Sequence, residues 1–197
     1  MLKIGITGGI GSGKSIVSNI FKSIGIPVFD ADQAAKNIMN EDANVKNKLI
    51  KAFGSEVFVD GKLNRQYLAN IVFTDTYALE KLNAIVHPAT IKAGLQWAEK
   101  QNSPYILREA ALLFEAGSAA DLDFIIGVYA PQHIRIQRVM KRDGTSRQEV
   151  LNRMSKQIDE EIKMKLCDFV IINDGQKELI PQVIDLHKIF LEKAKAK

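Results

Sequence analysis

The sequence predicts an α/β fold in which a parallel sheet is covered on both faces by helices, and three observations point to it. Short β-forming runs, Leu2 to Thr7, Pro27 to Phe29, Pro104 to Leu107, Phe124 to Ala130 and Phe169 to Ile172, alternate with longer helical stretches, and strands joined by helical crossovers pair in parallel. The runs are apolar enough to lie buried. A glycine-rich segment, Gly8-Gly9-Ile10-Gly11-Ser12-Gly13-Lys14-Ser15, leaves the first run and opens the first helix, at the carboxyl edge where ligands of such sheets bind.

The first helix follows that loop, with Val17, Ile20, Phe21 and Ile24 at helical spacing and Gly25 then Pro27 to end it. The second strand leads into Asp30-Ala31-Asp32. Residues 33 to 102 form a mainly helical insertion, with Asp60-Gly61 as a turn and Asn64 as the N-cap of a helix over Arg65 to Phe73. His87-Pro88 reads as a helix break. A second insertion, 132 to 165, is charged and helical and follows the fourth strand, where a mobile cover would close over phosphates. The last helix, near Leu179 to Leu191, is expected to pack back on the sheet, and the tail from Lys193 to Lys197 to fray.

Size and composition narrow the classes. The chain has 197 residues, 46% of them hydrophobic, enough for one domain with insertions and a real core. Its apolar runs are too short to span a bilayer, and Met1 leads directly into the first strand without a signal segment. Cys167 is the single cysteine, which excludes an internal disulfide and fits a reducing, cytoplasmic compartment. The formal charge of +4 is concentrated, since residues 131 to 157 alone carry a net +5. That segment lacks the interleaved aromatics of a single-strand nucleic-acid platform, so small phosphorylated ligands explain it better than nucleic acid.

The glycine-rich loop fits the full G-x-x-x-x-G-K-S spacing. In that pattern backbone N–H groups wrap a phosphate at a helix N-terminus, the lysine reaches the outer phosphates, and the hydroxyl ligates the bound Mg²⁺. Gly8, Gly13, Lys14 and Ser15 therefore predict nucleotide binding. Asp32 is either a base or metal-site carboxylate or the N-cap of the next helix, and spacing leaves these readings level. Arg138 and Arg142, with Arg135 one turn earlier, share a helix face and could clamp a transferring phosphoryl group; Arg147, Arg153 and Gln157 are weaker candidates. His87 and Arg65 read more readily as structural than as acceptor-binding residues. No His/Cys cluster has zinc spacing.

A regulatory GTPase would share the loop, but the chain has neither an Asp-x-x-Gly segment nor an Asn-Lys-x-Asp segment. The apolar-strand-to-Asp motif of mechanochemical ATPases is not evident either, because Tyr105-Ile106-Leu107 runs into Arg108-Glu109. A small-molecule kinase remains, with a nucleoside monophosphate kinase or a nucleotide-gated binding module as alternatives.

The chain resembles the dephospho-coenzyme A kinase family. The likeness is carried by Thr7 to Ser15, Asp30-Ala31-Asp32, Leu63-Asn64-Arg65, His87-Pro88, Leu112-Leu113-Phe114-Glu115, the Arg138/Arg142 pair, Gln157, and Asp168 with Asn173 and Gly175. The resemblance implies a P-loop kinase-like three-layer fold with a five-stranded parallel sheet, and transfer of the ATP γ-phosphoryl group to the 3′-hydroxyl of dephospho-CoA with Mg²⁺, the last step of CoA biosynthesis. It implies a nucleotide-binding core over 1–32, 103–131 and 166–197, a helical CoA-binding domain over 33–102 and a lid over 132–165.

By the same resemblance Lys14, Asp32 and Arg142 are catalytic, with Asp32 as the base and Ser15 as the metal ligand. ATP is expected on Gly9, Gly11, Ser12, Gly13, Lys14, Ser15, Ile16, Arg138, Arg142, Asn173 and Gly175. The acceptor is expected on Asp32, Arg65 and His87. ATP and dephospho-CoA are the expected partners, with no nucleic acid or membrane, and the chain is expected to be a monomer or weak homo-oligomer. Three positions depart from the usual family pattern: Ile16 replaces a second hydroxyl, Asn64 an Asp, and Ala111 a Pro.

Overall fold

The computed structural model describes residues 1–196, and they divide into two compact units. The first holds Met1–Asp30 and the chain from Lys100 on; the second is Ala31–Glu99. In chain order the first unit begins with β1 (Leu2–Thr7), α1 (Lys14–Ser23) and β2 (Val28–Asp30). The second unit contains α2 (Ala31–Glu41), α3 (Ala43–Phe53), a short 3-10 turn (Ser55–Val57), β3 (Phe58–Val59), β4 (Lys62–Leu63), α4 (Arg65–Thr74) and α5 (Thr76–Glu99). The first unit resumes with β5 (Tyr105–Glu109), β6 (Phe124–Tyr129), α6 (Gln132–Asp143), α7 (Arg147–Met154), α8 (Glu160–Lys165), β7 (Phe169–Ile172) and α9 (Leu179–Lys195).

The five expected strands form one sheet in the order β2-β5-β1-β6-β7, every neighbouring pair parallel. Alternation along the strands sorts the side chains between two faces. Ile4, Ile6, Tyr105, Leu107, Ile126, Val128 and Ile171 meet Val17 and Phe21 of α1 and Val183, Leu186 and Phe190 of α9 in one buried core. On the opposite face Gly5 and Gly127 leave no side chain. A Cβ at Gly5 would stand 2.6 Å from Leu122 and 2.9 Å from Leu113, and one at Gly127 would stand 2.7 Å from Met164.

In the second unit the packed residues Val45, Leu49 and Phe53 of α3, Val57, Leu68 of α4 and Ala78 of α5 make a separate core. Asn64 caps α4, its side chain accepting from Tyr67 N at 3.1 Å, as its position predicts. Asp60 and Gly61 both have positive φ, 50° and 74°, the geometry that closes a two-residue hairpin. They join β3 to β4, a strand pair that the turn alone did not announce.

Two boundaries differ from the sequence expectation. Pro88 lies inside α5 instead of ending it. A proline inside a helix loses its own N–H bond and crowds the carbonyl four residues earlier, and packing against α2, α3 and α4 offsets that cost and carries the helix through. The last helix runs on to Lys195, past the expected end at Leu191, and the Lys193 ammonium lies 4.8 Å from the centre of the Phe124 ring. Lys197, the end of the expected frayed tail, lies outside the described residues. Among the described residues no helix is long and apolar enough to cross a membrane.

Phe190 is the hinge of the aromatic packing in the first core. It is fully buried, with ring centres 5.5 Å from Tyr105, 6.1 Å from Phe124 and 5.3 Å from Phe169. Phe190→Ala is expected to cost about 3–5 kcal/mol, measured as a shift in urea unfolding, whereas a cost under about 1 kcal/mol would mean that α9 does not hold the sheet.

Candidate active site

The loop between β1 and α1 is held from two sides. Gly13 caps α1 with φ 94° and ψ 22°, a left-handed conformation that favours glycine, and a Cβ there would run into the side-chain amide of Asn173. That buried amide donates to the Ser12 carbonyl at 2.7 Å. Its oxygen accepts from Arg138 Nη2 at 3.2 Å, and Arg138 Nη1 reaches the same Ser12 carbonyl at 3.5 Å. The end of β7 and the inner face of α6 thus fix the loop at one point, and two residues named from sequence, Asn173 and Arg138, do it. Ser12 Oγ is buried and finds no partner among the described residues.

The other side of the loop meets α8 and the turn before it. Ile10 N donates to Gln157 Oε1 at 3.0 Å and Gly9 N to Glu160 Oε1 at 3.4 Å. Glu160 also accepts from Arg135 Nη1 at 3.2 Å, with both side chains about nine-tenths buried. Gln157 and Arg135 were candidates from spacing; Glu160 was not, because nothing local distinguishes it from Glu161 beside it.

Ser15 Oγ donates to Glu109 Oε1 at 2.8 Å. Arg108 breaks the apolar run, so the sequence ends this strand at Leu107 and gives Glu109 no signal. The structure carries β5 through Glu109, with all five residues buried. Arg108 is tolerated inside because its guanidinium is bidentate to Asp121, at 2.9 and 3.0 Å. Glu109 therefore occupies the position at the end of a central strand where an acidic residue was sought. Asp30, the last residue of β2, is its register partner.

The remaining candidates are distributed as follows. Lys14 opens α1 half-buried, Ile16 is 56% exposed on the same helix, and Gly175 lies in the turn after β7. Arg142 donates through Nε and Nη2 to Asp143, at 2.7 and 3.1 Å, with 62% of its side chain exposed. Hydrogen bonding to Asp143 raises its pKa further. In the second unit Asp32 stands in the first turn of α2; the helix starts at Ala31, one residue before Asp32, so this carboxylate is not the cap that spacing allowed. A carboxylate in a first turn is favoured by the helix dipole. Arg65 begins α4 and, with Lys36, lines an open apolar hollow of about 190 Å³ whose other walls include Met39, Leu68 and Leu82. His87 lies in α5, and burial lowers its pKa, which favours neutral imidazole. Burial raises the Cys167 thiol to about 12, with the Asp168 charge adding to the effect, which suits a packing residue and not a nucleophile.

The hard oxygen pair of Ser15 and Glu109 suits Mg²⁺. Among the described residues no cluster of three or more acidic, histidine or cysteine side chains is ready for a metal, so phosphate oxygens and water would supply the other ligands.

The family described as dephospho-CoA kinase matches residues 2–178. A Bacteroides fragilis dephospho-CoA kinase is 39% identical over 193 residues, covering 98% of this chain and 94% of that protein. The crystal structure of a Thermus thermophilus protein superposes with a TM-score of 0.87 at 37% identity, covering 95% and 96% of the two chains. A dephospho-CoA kinase from Campylobacter jejuni gives a TM-score of 0.71 at 28% identity, covering 97% and 98%.

A buried ion pair ties α8 to the segment after β5. The Lys163 ammonium, wholly buried, lies 3.0 Å from Glu115 and donates to the Ala111 carbonyl at 3.3 Å, while Ile158 N donates to Glu115 at 3.0 Å. Burial pushes the Glu115 carboxyl up, but backbone hydrogen bonds, Ile158 first, and the Lys163 contact together hold it below its ordinary 4.5. A depressed folded-state value contributes stability above the unfolded value, and that contribution fades as pH falls through the folded one. Unfolding free energy is therefore expected to drop below about pH 4.5 and Glu115→Gln to remove this part of the slope; urea titrations at pH 7 and 4 that give parallel losses in parent and variant would contradict the assignment.

Proposed function

This chain belongs to the dephospho-CoA kinase family, and we propose that it transfers the γ-phosphoryl group of ATP to the ribose 3′-hydroxyl of dephospho-CoA, giving CoA and ADP. The near-full-length likeness to dephospho-CoA kinases is the observation that carries this reading. The loop anchored at Ser12 supports it, because a rigid ring of N–H donors at a helix N-terminus is what a polyphosphate needs.

In the proposed reaction the ATP phosphates lie on the amides of Gly9 to Ser15, with Lys14 on the outer phosphates and Arg138 beside them. Ile16, Asn173 and Gly175 border the nucleotide. Ser15 and Glu109 would hold Mg²⁺, which when bound neutralises charge on the phosphates. The acceptor oxygen forms its bond to γ-phosphorus as the bond from that phosphorus to the β,γ-bridging oxygen breaks, and ADP departs. Asp32, joined by two residues to the end of β2, takes the proton of the 3′-hydroxyl. Arg142, now engaged with Asp143, would turn to the transferring group as residues 132–165 act as the lid.

The insertion, 33–102, is the proposed CoA-binding domain. A hollow with an apolar lining and two cations, Lys36 and Arg65, suits an acceptor that combines phosphates with an apolar arm. His87, favoured in its neutral form by burial, can offer that acceptor one donor and one acceptor atom. A cytoplasmic setting agrees with a lone Cys167 kept as a thiol.

Incubation with Mg-ATP and, separately, dephospho-CoA, AMP, CMP, shikimate or no acceptor tests the reading by ADP release and product mass. Stoichiometric ADP and CoA with dephospho-CoA alone is the expected result; transfer to AMP or CMP instead, or ADP release without an acceptor, overturns it. Asp32→Asn is expected to keep ATP affinity while turnover falls about a hundredfold or more, within the roughly 10²- to 10⁴-fold contributed by a positioned base. Unchanged turnover would reduce Asp32 to a dipole-stabilising residue of α2.

A further inference from the structure

Arg135 and Glu160 form a buried pair directly against the phosphate loop, and neither ion is well satisfied. The pair is monodentate, Nη1 to Oε2 at 3.2 Å. Arg135 Nε is buried without a hydrogen-bond partner among the described residues. Among the described residues, the second carboxylate oxygen accepts the long 3.4 Å bond from Gly9 N. Taking two charges out of water is repaid only when geometry is good and the remaining donors are met, and here a guanidinium donor is left over.

The pair also sits where a nucleotide's charge would arrive. A Cβ on Gly9 would collide with both Arg135 Nη1 and Glu160 Oε2, and one on Gly11 would come within 2.6 Å of the Arg135 carbonyl. Arg135 shares its helix face with Arg138, three residues on, whose guanidinium already lies at Ser12. Arg135, Gln157 and Glu160 line a cavity of about 600 Å³ with Tyr129, Gln132 and Leu151. A polyphosphate held by the loop would bring several negative charges toward one carboxylate and one under-used guanidinium.

We propose that Arg135 is a phosphate-binding residue and that Glu160 is its resident counter-ion, exchanged for ATP phosphate oxygens when nucleotide binds. Glu160 keeps Arg135 beside the loop and lowers affinity for ATP at the same time, since phosphate must displace a like-charged group from both the guanidinium and the Gly9 amide. This rests on the reading of the loop as the ATP site. It makes Glu160 a positioning residue that sets the working range of ATP concentration; Gln157 also occupies a loop amide, that of Ile10, but as a neutral acceptor it adds no charge repulsion against phosphate.

The test is ATP binding by calorimetry on the full chain, with thermal melting to confirm folding. Glu160→Gln, which keeps the shape and removes the charge, is expected to bind ATP about tenfold more tightly, and Arg135→Gln about tenfold or more weakly, the scale of a hydrogen bond to a charged group. Arg135→Lys should recover part of the loss. The gain from Glu160→Gln should shrink when Arg135 is already Gln. ATP affinity that is unchanged or weaker in a folded Glu160→Gln overturns the exchange, as does full affinity in Arg135→Gln. If Glu160→Gln fails to fold, the Arg135→Gln and Arg135→Lys affinities decide alone. Turnover of dephospho-CoA by the parent chain is a separate readout: its failure would remove the assigned acceptor while leaving the ATP affinities to judge the exchange.

Discussion

The Ser12 carbonyl is the point on which the nucleotide side of this protein depends. It receives the Asn173 amide at 2.7 Å and Arg138 at 3.5 Å, so the end of β7, the middle of α6 and the loop after β1 share one acceptor. A glycine-rich segment would otherwise sample many conformations, and the entropy of ordering it would be lost at each binding event. Holding one carbonyl from two elements removes much of that cost beforehand. Because the strands run parallel, their carboxyl ends gather at one edge, and the same edge brings Glu109 to Ser15 and Asp30 to Glu109.

Each arginine around the loop is held by a local partner. Arg138 is shared with Asn173, Arg135 with Glu160, and Arg142 with Asp143. Only the last of these arginine side chains is largely exposed, where pairing contributes little to stability. The inner arginines are immobilised by packing and the outer one by a contact that is easily given up. One helix therefore carries both fixed and releasable cations.

Much of this was legible in the sequence. The five strands, the loop and the Asn64 cap follow from periodicity and turn chemistry, and the helical insertion after β2 stands apart as its own unit, Ala31–Glu99. What escaped has a physical cause in each case. Glu109 was hidden by Arg108, whose burial depends on Asp121, thirteen residues away in sequence. Pro88 was read as a break because local rules know nothing of the neighbouring helices that hold α5 together. Glu160 carries no local signal, and its importance comes from Gly9, 151 residues earlier. Tertiary partners decide such positions, and no window of sequence contains them.

Gly5 and Gly127 lie on the sheet face opposite α1 and α9, with Leu122, Leu113 and Met164 occupying the space that side chains would take. At these two positions β1 and β6 present bare backbone to that layer. A lineage that acquired a side chain at either site would have to shrink Leu122 or Met164 in step, so change at these two glycines proceeds in coupled pairs.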